Sequence, residues 1–386
     1  MSDLVVKRVT SRRERKQFLM LPWRIYENDP HWVPPLLTEV KEFLDPKKHP
    51  FYLHGEAVQL LATRDGVPVG RTLVSDDSLY NRHYSTNLGC FGMFECVDDR
   101  PTAHALLDAA ADWLQARGRD TVMGPIDYST NYPCGLLVDG FDTPPRVMMN
   151  HQRQYYAPLL ESWGLNKVTD LYAWWFADPL NVLSKWNRLA ERIERQGKVT
   201  VRPFRTQDYH AEIDRCRSIY NASLVNDLGL LMPLTDAEFS YFGRRMARVA
   251  DPRLTLLAEV DGKPVGFCLV LPDVNEAIRP FDGRLTRWGL PINAVRLLWR
   301  IRRIKTARLV LLHVLEGYRR RGIAELLILK VLDYGKNTVG YTGAELGWTM
   351  ENHDLINRTV EKAGGRRYKT YRIYDRPISP VGNNLA

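Results

Sequence analysis

The feature that most constrains the fold of this chain is an approximate repeat of its own sequence. The segments ATRDGVPVGRTLV (62–74) and AEVDGKPVGFCLV (258–270) are identical at eight of thirteen positions. In each, apolar residues lie on both sides of an Asp-Gly pair, which predicts two antiparallel strands joined by a tight turn. A second pair of segments, 161–176 and 361–376, matches at nearly the same offset, 200 residues against 196. Two matched landmarks at one offset predict a duplicated domain.

Both halves of the chain predict an α/β fold of the mixed-sheet, α+β kind. In the second half the pattern is a strand, two helices, the hairpin, an insertion at 273–303, and then strands and helices in alternation. Such an order is typical of a mixed sheet with helices on its faces. The length of 386 residues is enough for two domains. We therefore predict two tandem domains, each a mixed sheet flanked by helices, at 1–180 and 198–386, joined by a helical connector at 181–197.

Composition narrows the class of protein without identifying a function. A hydrophobic content of 45% and a charged content of 26% are typical of a globular chain. The five cysteines form no CxxC pair and no metal-ligand spacing, so we expect free thiols and no metal. There is no apolar signal core and no apolar run long enough to span a bilayer, so we expect a cytoplasmic protein. The net charge of +9 admits phosphorylated ligands, nucleic acid or an anionic membrane surface.

The best candidate for a binding site is the segment HVLEGYRRRGIAELLI, which begins at His313. An apolar strand leads into three consecutive arginines (319–321) and Gly322, and an apolar-periodic helix follows directly. A glycine turn between a strand and a helix N-terminus points several backbone N–H groups in one direction, at the positive end of the helix dipole. The arginines add neutralising charge and the glycine permits close approach. The pattern predicts a pyrophosphate-binding loop at 319–324; a basic turn that binds nothing is the alternative.

These residues resemble the GNAT superfamily of acyl-CoA-dependent N-acetyltransferases. Arg319-x-x-Gly322-x-Ala324 fits the (Q/R)-x-x-G-x-(G/A) signature of that family, and the segment 347–365 is similar to its next strand, asparagine and helix. The resemblance implies acetyl-CoA as cosubstrate, with its pyrophosphate on the loop amides, its pantetheine arm paired with the preceding strand, and an asparagine beside that arm. The residues implied to contact the cosubstrate are Val314, Leu315, Arg319, Arg320, Arg321, Gly322, Ile323, Ala324 and Asn352.

The first half of the chain keeps the pattern of the fold but lacks this loop. At the corresponding position Asp98 and Asp99 directly precede the helical segment RPTAHALLDAAADWL. Two carboxylates at a helix entry would repel a pyrophosphate. We therefore predict that residues 1–180 form a degenerate acetyltransferase-like domain that has lost the CoA phosphate loop.

The position of the expected catalytic acid departs from the family pattern. The resemblance implies a tyrosine that protonates the departing thiolate, just before the EKxG end of the last helix, and that position is Val360 here. Either another tyrosine serves (Tyr368, Tyr371 or Tyr334), or the thiolate leaves unaided, or the protein does not catalyse. Among these tyrosines we take Tyr368 as the candidate.

A base is also needed, because an amine with a pKa of about 10.4 is almost wholly protonated at neutral pH. The ionisable side chains near the ends of the two relevant strands are His313, Glu316, Glu345, Glu351 and His353. Alternation along a strand puts His313 and Glu316 on opposite faces, so they do not both line one site. We favour the carboxylates of Glu316 and Glu351 as candidate bases.

We predict an N-acyltransferase that moves an acetyl group from acetyl-CoA to a primary amine by direct attack in a ternary complex. Its partners are acyl-CoA and an amine acceptor that the sequence does not identify. The alternative is a non-catalytic acyl-CoA-binding regulatory protein, which Val360 favours and which the loop at 319–324 fits equally well.

The basic segment NAVRLLWRIRRIKTARL (293–309) raises a third hypothesis, a module for nucleic acid or for a membrane surface. On a helical wheel four apolar residues gather on one side and three arginines lie opposite: Leu297, Leu298, Ile301 and Ile304 against Arg296, Arg300 and Arg303. We interpret the segment as a surface helix whose apolar side packs on the other domain and whose arginines are solvated. We expect no nucleic-acid partner.

Overall fold

The computed structural model describes most of the chain, in the ranges 3–177, 198–224 and 230–378 and at the single positions 191, 193 and 195. The chain folds into two compact units. The first comprises Met1–Leu171 with Lys369–Ala386, and the second comprises Tyr172–Tyr368. The predicted connector at 181–197 lies outside the described residues except at its three single positions.

A mixed sheet forms the centre of the first unit. Its strands include β1 (Leu4–Arg8), β2 (Gly55–Arg64), β3 (Val67–Asp77), β4 (Leu88–Cys96), β5 (Thr121–Gly124) and β6 (Leu136–Asp139). Strands β1 to β4 pair in antiparallel succession, and β5 lies parallel to β4. Between β2 and β3 the chain turns at Asp65 and Gly66, whose φ angles are 50° and 78°. Two successive positive φ angles are what a tight hairpin turn requires, so the predicted hairpin is confirmed.

Helices cover the sheet of the first unit. They are α1 (Arg12–Ile25), α2 (Leu37–Phe43), α3 (Ser78–Tyr84), α4 (Arg100–Gln115) and α5 (Tyr156–Ser162). The long helix α4 buries Ala103, Leu107, Ala110 and Leu114 at spacings of three and four residues, which lie on one helix face. The strand β7 (Asn166–Phe176) follows α5, and its residues from Tyr172 on belong to the second unit.

The second unit repeats the strand order of the first. Its strands include β8 (Val199–Pro203), β9 (Thr255–Val260), β10 (Lys263–Pro272), β11 (Thr306–Val314) and β12 (Gly343–Met350). Strands β8 to β11 pair in antiparallel succession and β12 lies parallel to β11, as in β1 to β5. The turn between β9 and β10 uses Asp261 and Gly262, with φ angles of 48° and 76°. The predicted duplication of a mixed α/β fold is therefore confirmed.

Helices lie on both faces of the second sheet. They are α6 (Tyr209–Ser223), α7 (Asp236–Met246), α8 (Asn275–Ile278), α9 (Ile292–Ile301), α10 (Ile323–Tyr334) and α11 (Asp354–Lys362). On one face, Tyr220 of α6 and Phe239 of α7 pack with Phe267 of β10. On the other, Leu327 of α10 packs with Val265 of β10. The short helices α8 and α9 lie between β10 and β11, in the segment 273–303 that the sequence predicts to be an insertion.

The last strand, β13 (Arg366–Pro377), connects the end of the chain to the first unit. Tyr374 pairs with Gly124 of β5, and Arg372 pairs with Leu136 of β6, both antiparallel. The second unit therefore ends at Tyr368, whereas the sequence assigned everything from 198 to 386 to the second domain. The cause is the hydrogen-bonding ladder, which joins β13 to strands more than 200 residues earlier in the chain.

Candidate acyl-CoA site

The candidate site is built where β11 leads into α10. The chain leaves β11 at Val314, makes a short 3-10 turn (Glu316–Tyr318), and enters α10 at Ile323. Arg320 and Gly322 have positive φ angles, 65° and 77°. Gly322 is the N-cap residue of α10, and no side chain caps the N–H groups of the first turn. An uncapped helix start carries partial positive charge and donors that favour an anion.

The three arginines of the loop are placed differently. The guanidinium of Arg319 donates to the carbonyl oxygen of Val314 at 3.2 Å and to the carbonyl oxygen of Ser223. Arg320 and Arg321 are exposed. Arg319 therefore ties the loop to the end of α6, while Arg320 and Arg321 remain at the surface, where they can neutralise a phosphate.

Strands β11 and β12 part from each other toward this loop. Their parallel pairing covers four residue pairs, the last being Leu309 with Leu346. Beyond that pair β11 continues to Val314 and β12 continues to Met350. A bulge at Val310, which is skipped in the register with β10, lies directly after the last pair. Because a bulge bends and twists its strand, we infer that the unpaired ends of β11 and β12 diverge toward the loop, and we call the space between them the V.

The backbone of β11 beyond the bulge turns some of its polar groups toward this opening. Leu315 donates its N–H to the carbonyl oxygen of Val265 on β10, at 2.9 Å. Val314, opposite Gly266, is the next residue back. Polar groups of alternate residues point to opposite sides of a strand, so the N–H of Val314 points away from β10 and into the V. Of the two expected backbone partners of the pantetheine arm, Val314 faces the opening, and the N–H of Leu315 is already bonded.

His313 lies on the sheet face that α6 covers. The Ser223 hydroxyl lies 2.7 Å from the carbonyl oxygen of Tyr220 and 2.8 Å from Nδ1 of His313; with its one proton donated to Tyr220, Nδ1 of His313 is the donor in the second contact. This tautomer leaves the lone pair on Nε2. The ring stacks on Phe267, with centroids 5.7 Å apart. Burial, and then the charge of Arg319, lower the pKa of His313 to about 4, so the ring is neutral and can accept a proton.

The carboxylates favoured from the sequence stand at the strand ends that border the V. Glu316 is exposed in the turn after β11, and Glu351 is half-buried directly after β12. Asn352, expected beside the pantetheine arm, is exposed next to Glu351. The sequence alone does not favour His313, because strand alternation shows that His313 and Glu316 face opposite ways but not which of the two faces α6 covers. The contact of His313 with Ser223 shows that α6 covers the face on which His313 lies.

Tyr368 lies near the other end of β12. Its hydroxyl donates to the carboxylate of Glu345, which is fully buried and ion-paired with Arg308 at 2.8 Å. Arg308 stands opposite Glu345 in the β11–β12 ladder and precedes Val314 by six residues, a distance of about 20 Å along a strand. The structure therefore does not bring Tyr368 together with the loop. Val360, at the usual position of the acid, is buried in an apolar cluster.

The equivalent position in the first unit is closed by a side chain. Asp99 is the N-cap of α4, and its carboxylate accepts a hydrogen bond from the Thr102 N–H at 2.9 Å. The same carboxylate pairs with Arg64 at 2.6 Å. A carboxylate thus occupies the helix start where a phosphate would bind, which supports the prediction that this unit lacks a CoA loop.

Two further features concern metals and membranes. Within the described residues no group of three or more His, Cys, Asp or Glu side chains could hold a metal ion, and the five cysteines are free and buried. Across the same part of the chain, the helices are too short or too polar to cross a bilayer.

Comparisons with known proteins agree with this geometry. The model of the Acetyltransferase (GNAT) family matches residues 214–364, which include the loop and α10. The protein named "Bacterial ceramide synthase" of Caulobacter vibrioides (strain NA1000 / CB15N) is 35% identical over 386 residues, or 98% of each chain. "Protein YghO" of Escherichia coli (strain K12) is 31% identical over 380 residues, or 97% of this chain and 95% of that protein.

Solved structures share the fold at low sequence identity. A tandem GNAT protein from the clavulanic acid biosynthesis pathway has a TM-score of 0.57 and 14% identity, covering 98% of this chain and 100% of that one. A GCN5-related N-acetyltransferase from Sphaerobacter thermophilus has a TM-score of 0.52 and 16% identity, covering 98% and 96%. The family model, the full-length relatives and the tandem fold lead to one conclusion: the chain belongs to the acetyltransferase (GNAT) family and is an acyltransferase.

Proposed function

We propose that the protein transfers a fatty acyl group from acyl-CoA to the primary amine of a long-chain amino alcohol, in a single ternary complex. The observation that carries the donor half is the uncapped start of α10 at the wide end of the V between β11 and β12. The acceptor half is supported by the name of the Caulobacter relative, since ceramide is by definition the amide of a sphingoid base and a fatty acid.

In this proposal the loop holds the donor by its pyrophosphate. The N–H groups from Arg320 to Ala324 bind the phosphate oxygens, and the exposed guanidinium groups of Arg320 and Arg321 neutralise their charge. The N–H of Val314 pairs with the pantetheine arm inside the V, with Asn352 at the opposite border. The thioester then lies near the bulge, between the two strands.

The chemical step needs a neutral amine and a place for its proton. The amine nitrogen attacks the thioester carbonyl carbon, the C–S bond breaks, and CoA leaves as a thiolate. His313 Nε2 accepts the proton, because the N–H becomes strongly acidic once the nitrogen is bonded to the carbonyl carbon. A base with a pKa of about 4 does not deprotonate the free ammonium ion, so the protein binds the neutral amine. Glu351, at the border of the V, is the second candidate base.

A second candidate function, a non-catalytic acyl-CoA-binding regulator, is favoured by Val360. This residue replaces the expected tyrosine and is buried among apolar side chains, where it supplies no proton. The two functions share the donor site and differ only in the release of free CoA.

Two glycines of the same loop provide the test. A Cβ on Gly322 would lie 2.4 Å from Cδ1 of Ile193, at a φ of 77°, whereas a Cβ on Gly317 would meet no atom within 4 Å. We expect wild type and Gly317→Ala to bind decanoyl-CoA in calorimetry. We expect Gly322→Ala to bind roughly tenfold more weakly or worse, because a Cβ strains the positive φ and either the loop or Ile193 must move. A thermal melt of each variant checks that it folds.

The same proteins are then mixed with decanoyl-CoA and an amine, and free CoA thiol is measured. Thiol release with sphinganine and not with butylamine is the expected result. Equal release with both amines would refute the acceptor class and keep the acyltransferase. Binding without release from either amine would favour the regulatory alternative, and a parallel titration with acetyl-CoA decides the length of the acyl group.

A further inference from the structure

An apolar patch stands exposed on the second unit, apart from the acyl-CoA site. Its members are large side chains of α9 and of the loop before it, each between 55% and 80% exposed: Trp288, Leu290, Val295, Leu298 and Trp299. We call this set the tryptophan patch. Five large apolar side chains exposed within twelve residues call for a physical explanation, because exposed apolar clusters often mark interaction sites.

The opposite face of α9 is the one that packs. Leu297 and Ile301 contact the core of the second unit itself. The guanidinium of Arg300 donates to the carbonyl oxygens of Ala277 and Glu276, at 3.0 and 3.1 Å. Three parts of the sequence prediction are thereby corrected. The packed side contacts the core of its own unit rather than the other domain, Leu298 does not lie on that side, and Arg300 is hydrogen-bonded rather than solvated.

With α9 fixed in this way, its exposed apolar residues have a helical order. Val295, Leu298 and Trp299 are spaced by three and four residues, so they form one stripe along the solvent side of the helix. Trp288 and Leu290, in the loop just before the helix, are exposed as well. The packing of α9 is complete without this stripe, which is therefore available for contact with another surface.

The segment that carries the patch has charged residues of one sign. The segment 284–305 contains seven arginines and lysines and no aspartate or glutamate. The guanidinium of Arg287 lies 4.4 Å from the centroid of the Trp288 ring, and that of Arg303 lies 3.4 Å from the centroid of the Trp299 ring. Each exposed tryptophan thus carries a cation on its face, and Arg302 beside them is exposed as well.

We propose that the tryptophan patch docks the protein on an anionic lipid bilayer. Tryptophan rings lie at the boundary between headgroups and acyl chains, and guanidinium groups bind the lipid phosphates above them. A helix of ten residues, about 15 Å long, lies flat in that boundary and does not cross it. The inference rests on exposure and charge alone and is independent of the proposed acceptor. It goes beyond the transfer reaction, because it assigns a membrane-binding surface outside the acyl-CoA site.

The test is co-sedimentation of the full-length protein with vesicles, in the absence of acyl-CoA and amine. One set of vesicles is phosphatidylcholine, and the other is phosphatidylcholine and phosphatidylglycerol in equal parts. We expect wild type to bind the anionic vesicles and not the neutral ones. The double substitution Trp288→Ser with Trp299→Ser is expected to weaken that binding roughly tenfold or more, as is Arg302→Gln with Arg303→Gln.

Leu53→Ser is the matched control, since Leu53 is 76% exposed on the first unit and lies outside the patch. It should bind vesicles as wild type does, and thermal melts verify that every variant folds. The proposal is overturned if wild type does not bind anionic vesicles, or if the double tryptophan variant binds them as well as Leu53→Ser does. It is also overturned if light scattering shows a wild-type dimer that the tryptophan variant converts to a monomer, because the patch would then join two copies of the chain.

Discussion

The chemistry of His313 depends on a few neighbouring residues. Ser223 accepts from Nδ1 and thereby fixes the lone pair on Nε2, while Phe267 and Tyr220 contact the ring. Burial and the charge of Arg319 lower its pKa to about 4. The ring therefore stays neutral over the physiological range. In the proposed reaction it would accept a proton only from a group that has become acidic, which is the condition of the amine nitrogen after it attacks the thioester.

The first prediction concerns this residue. His313→Asn should slow acyl transfer by roughly 10²-fold or more, since one positioned base contributes about 10²- to 10⁴-fold, and should leave decanoyl-CoA affinity unchanged. Tyr368→Phe is the control and should react at nearly the wild-type rate, because Tyr368 bonds to Glu345 far from the loop. Single-turnover rates at saturating decanoyl-CoA measure both. A tyrosine variant slower than the histidine variant would return the role of acid to Tyr368.

Asp127 makes the stability of the first unit depend on pH, because its pKa is raised rather than lowered. Burial raises the pKa of Asp127 to about 7, against the lowering effects of the Met93 N–H and the Arg71 charge. The folded state thus keeps a proton that the unfolded chain, with an ordinary aspartate pKa of 3.8, has lost. The resulting stability is complete below the unfolded pKa and disappears as the pH rises through 7.

The second prediction follows from that sign. Asp127→Asn removes the titration and keeps an oxygen that can accept from the Met93 N–H, a bond of 2.7 Å in wild type. Between about pH 5 and about pH 8, wild type should lose about 1–3 kcal/mol more unfolding free energy than the variant. Urea unfolding at the two pH values measures the difference. Parallel losses in the two proteins would show that Asp127 is ionised in the folded state.

At the scale of elements, the starts of α4 and α10 show how one fold can open or close an anion site. Gly322 leaves the first N–H groups of α10 without a side-chain cap, whereas Asp99 caps α4 through the Thr102 N–H. A cap stabilises its helix and at the same time occupies the donors that a phosphate would need. The second unit therefore gives up a stabilising interaction at the position where it would bind a ligand.

The third prediction tests the closed helix start. Asp99→Ala should lower the unfolding free energy by about 0.5–2 kcal/mol, the usual effect of removing a cap. Asp98→Ala removes a neighbouring exposed carboxylate that is not the cap and should have little effect. Urea unfolding of both variants measures the contrast. Equal destabilisation would mean that charge at the helix entry, rather than the hydrogen bond of Asp99, is what matters.

Some elements follow from local sequence and others do not. The Asp-Gly hairpins and the loop before α10 are predictable, because a few residues determine their backbone angles. The place of β13 is not, because its partners β5 and β6 lie more than 200 residues away. A helical wheel shows that α9 has an apolar and a basic side but not which residues pack against the core. In the structure Leu298 is exposed, and Arg300 donates to the carbonyl oxygen of Ala277. His313 escaped for the same reason, since alternation does not identify the face that α6 covers.

At the scale of the whole molecule, the two units repeat one strand order, and only one of their two equivalent helix starts, those of α4 and α10, lacks a side-chain cap. The strand order β1 to β5 recurs as β8 to β12, including the parallel final pair. Only one of the two helices that follow the equivalent strands, α10, begins without a side-chain cap. Because only one of these two equivalent starts is open, we expect a single acyl-CoA site, with the first unit contributing structure rather than a second reaction.

The fourth prediction concerns the number of acyl-CoA sites in each chain. Calorimetry of wild type with decanoyl-CoA should give one site per chain, since a phosphate at α4 would compete with the carboxylate of Asp99 for the same N–H groups. Gly322→Ala should remove that site, because the added Cβ meets Ile193, and Gly317→Ala should retain it. Two sites in wild type, or one remaining in Gly322→Ala, would show that the first unit still binds acyl-CoA. In that case Asp99 must move aside when the ligand arrives, and Asp99→Ala would tighten the second site rather than leave it unchanged.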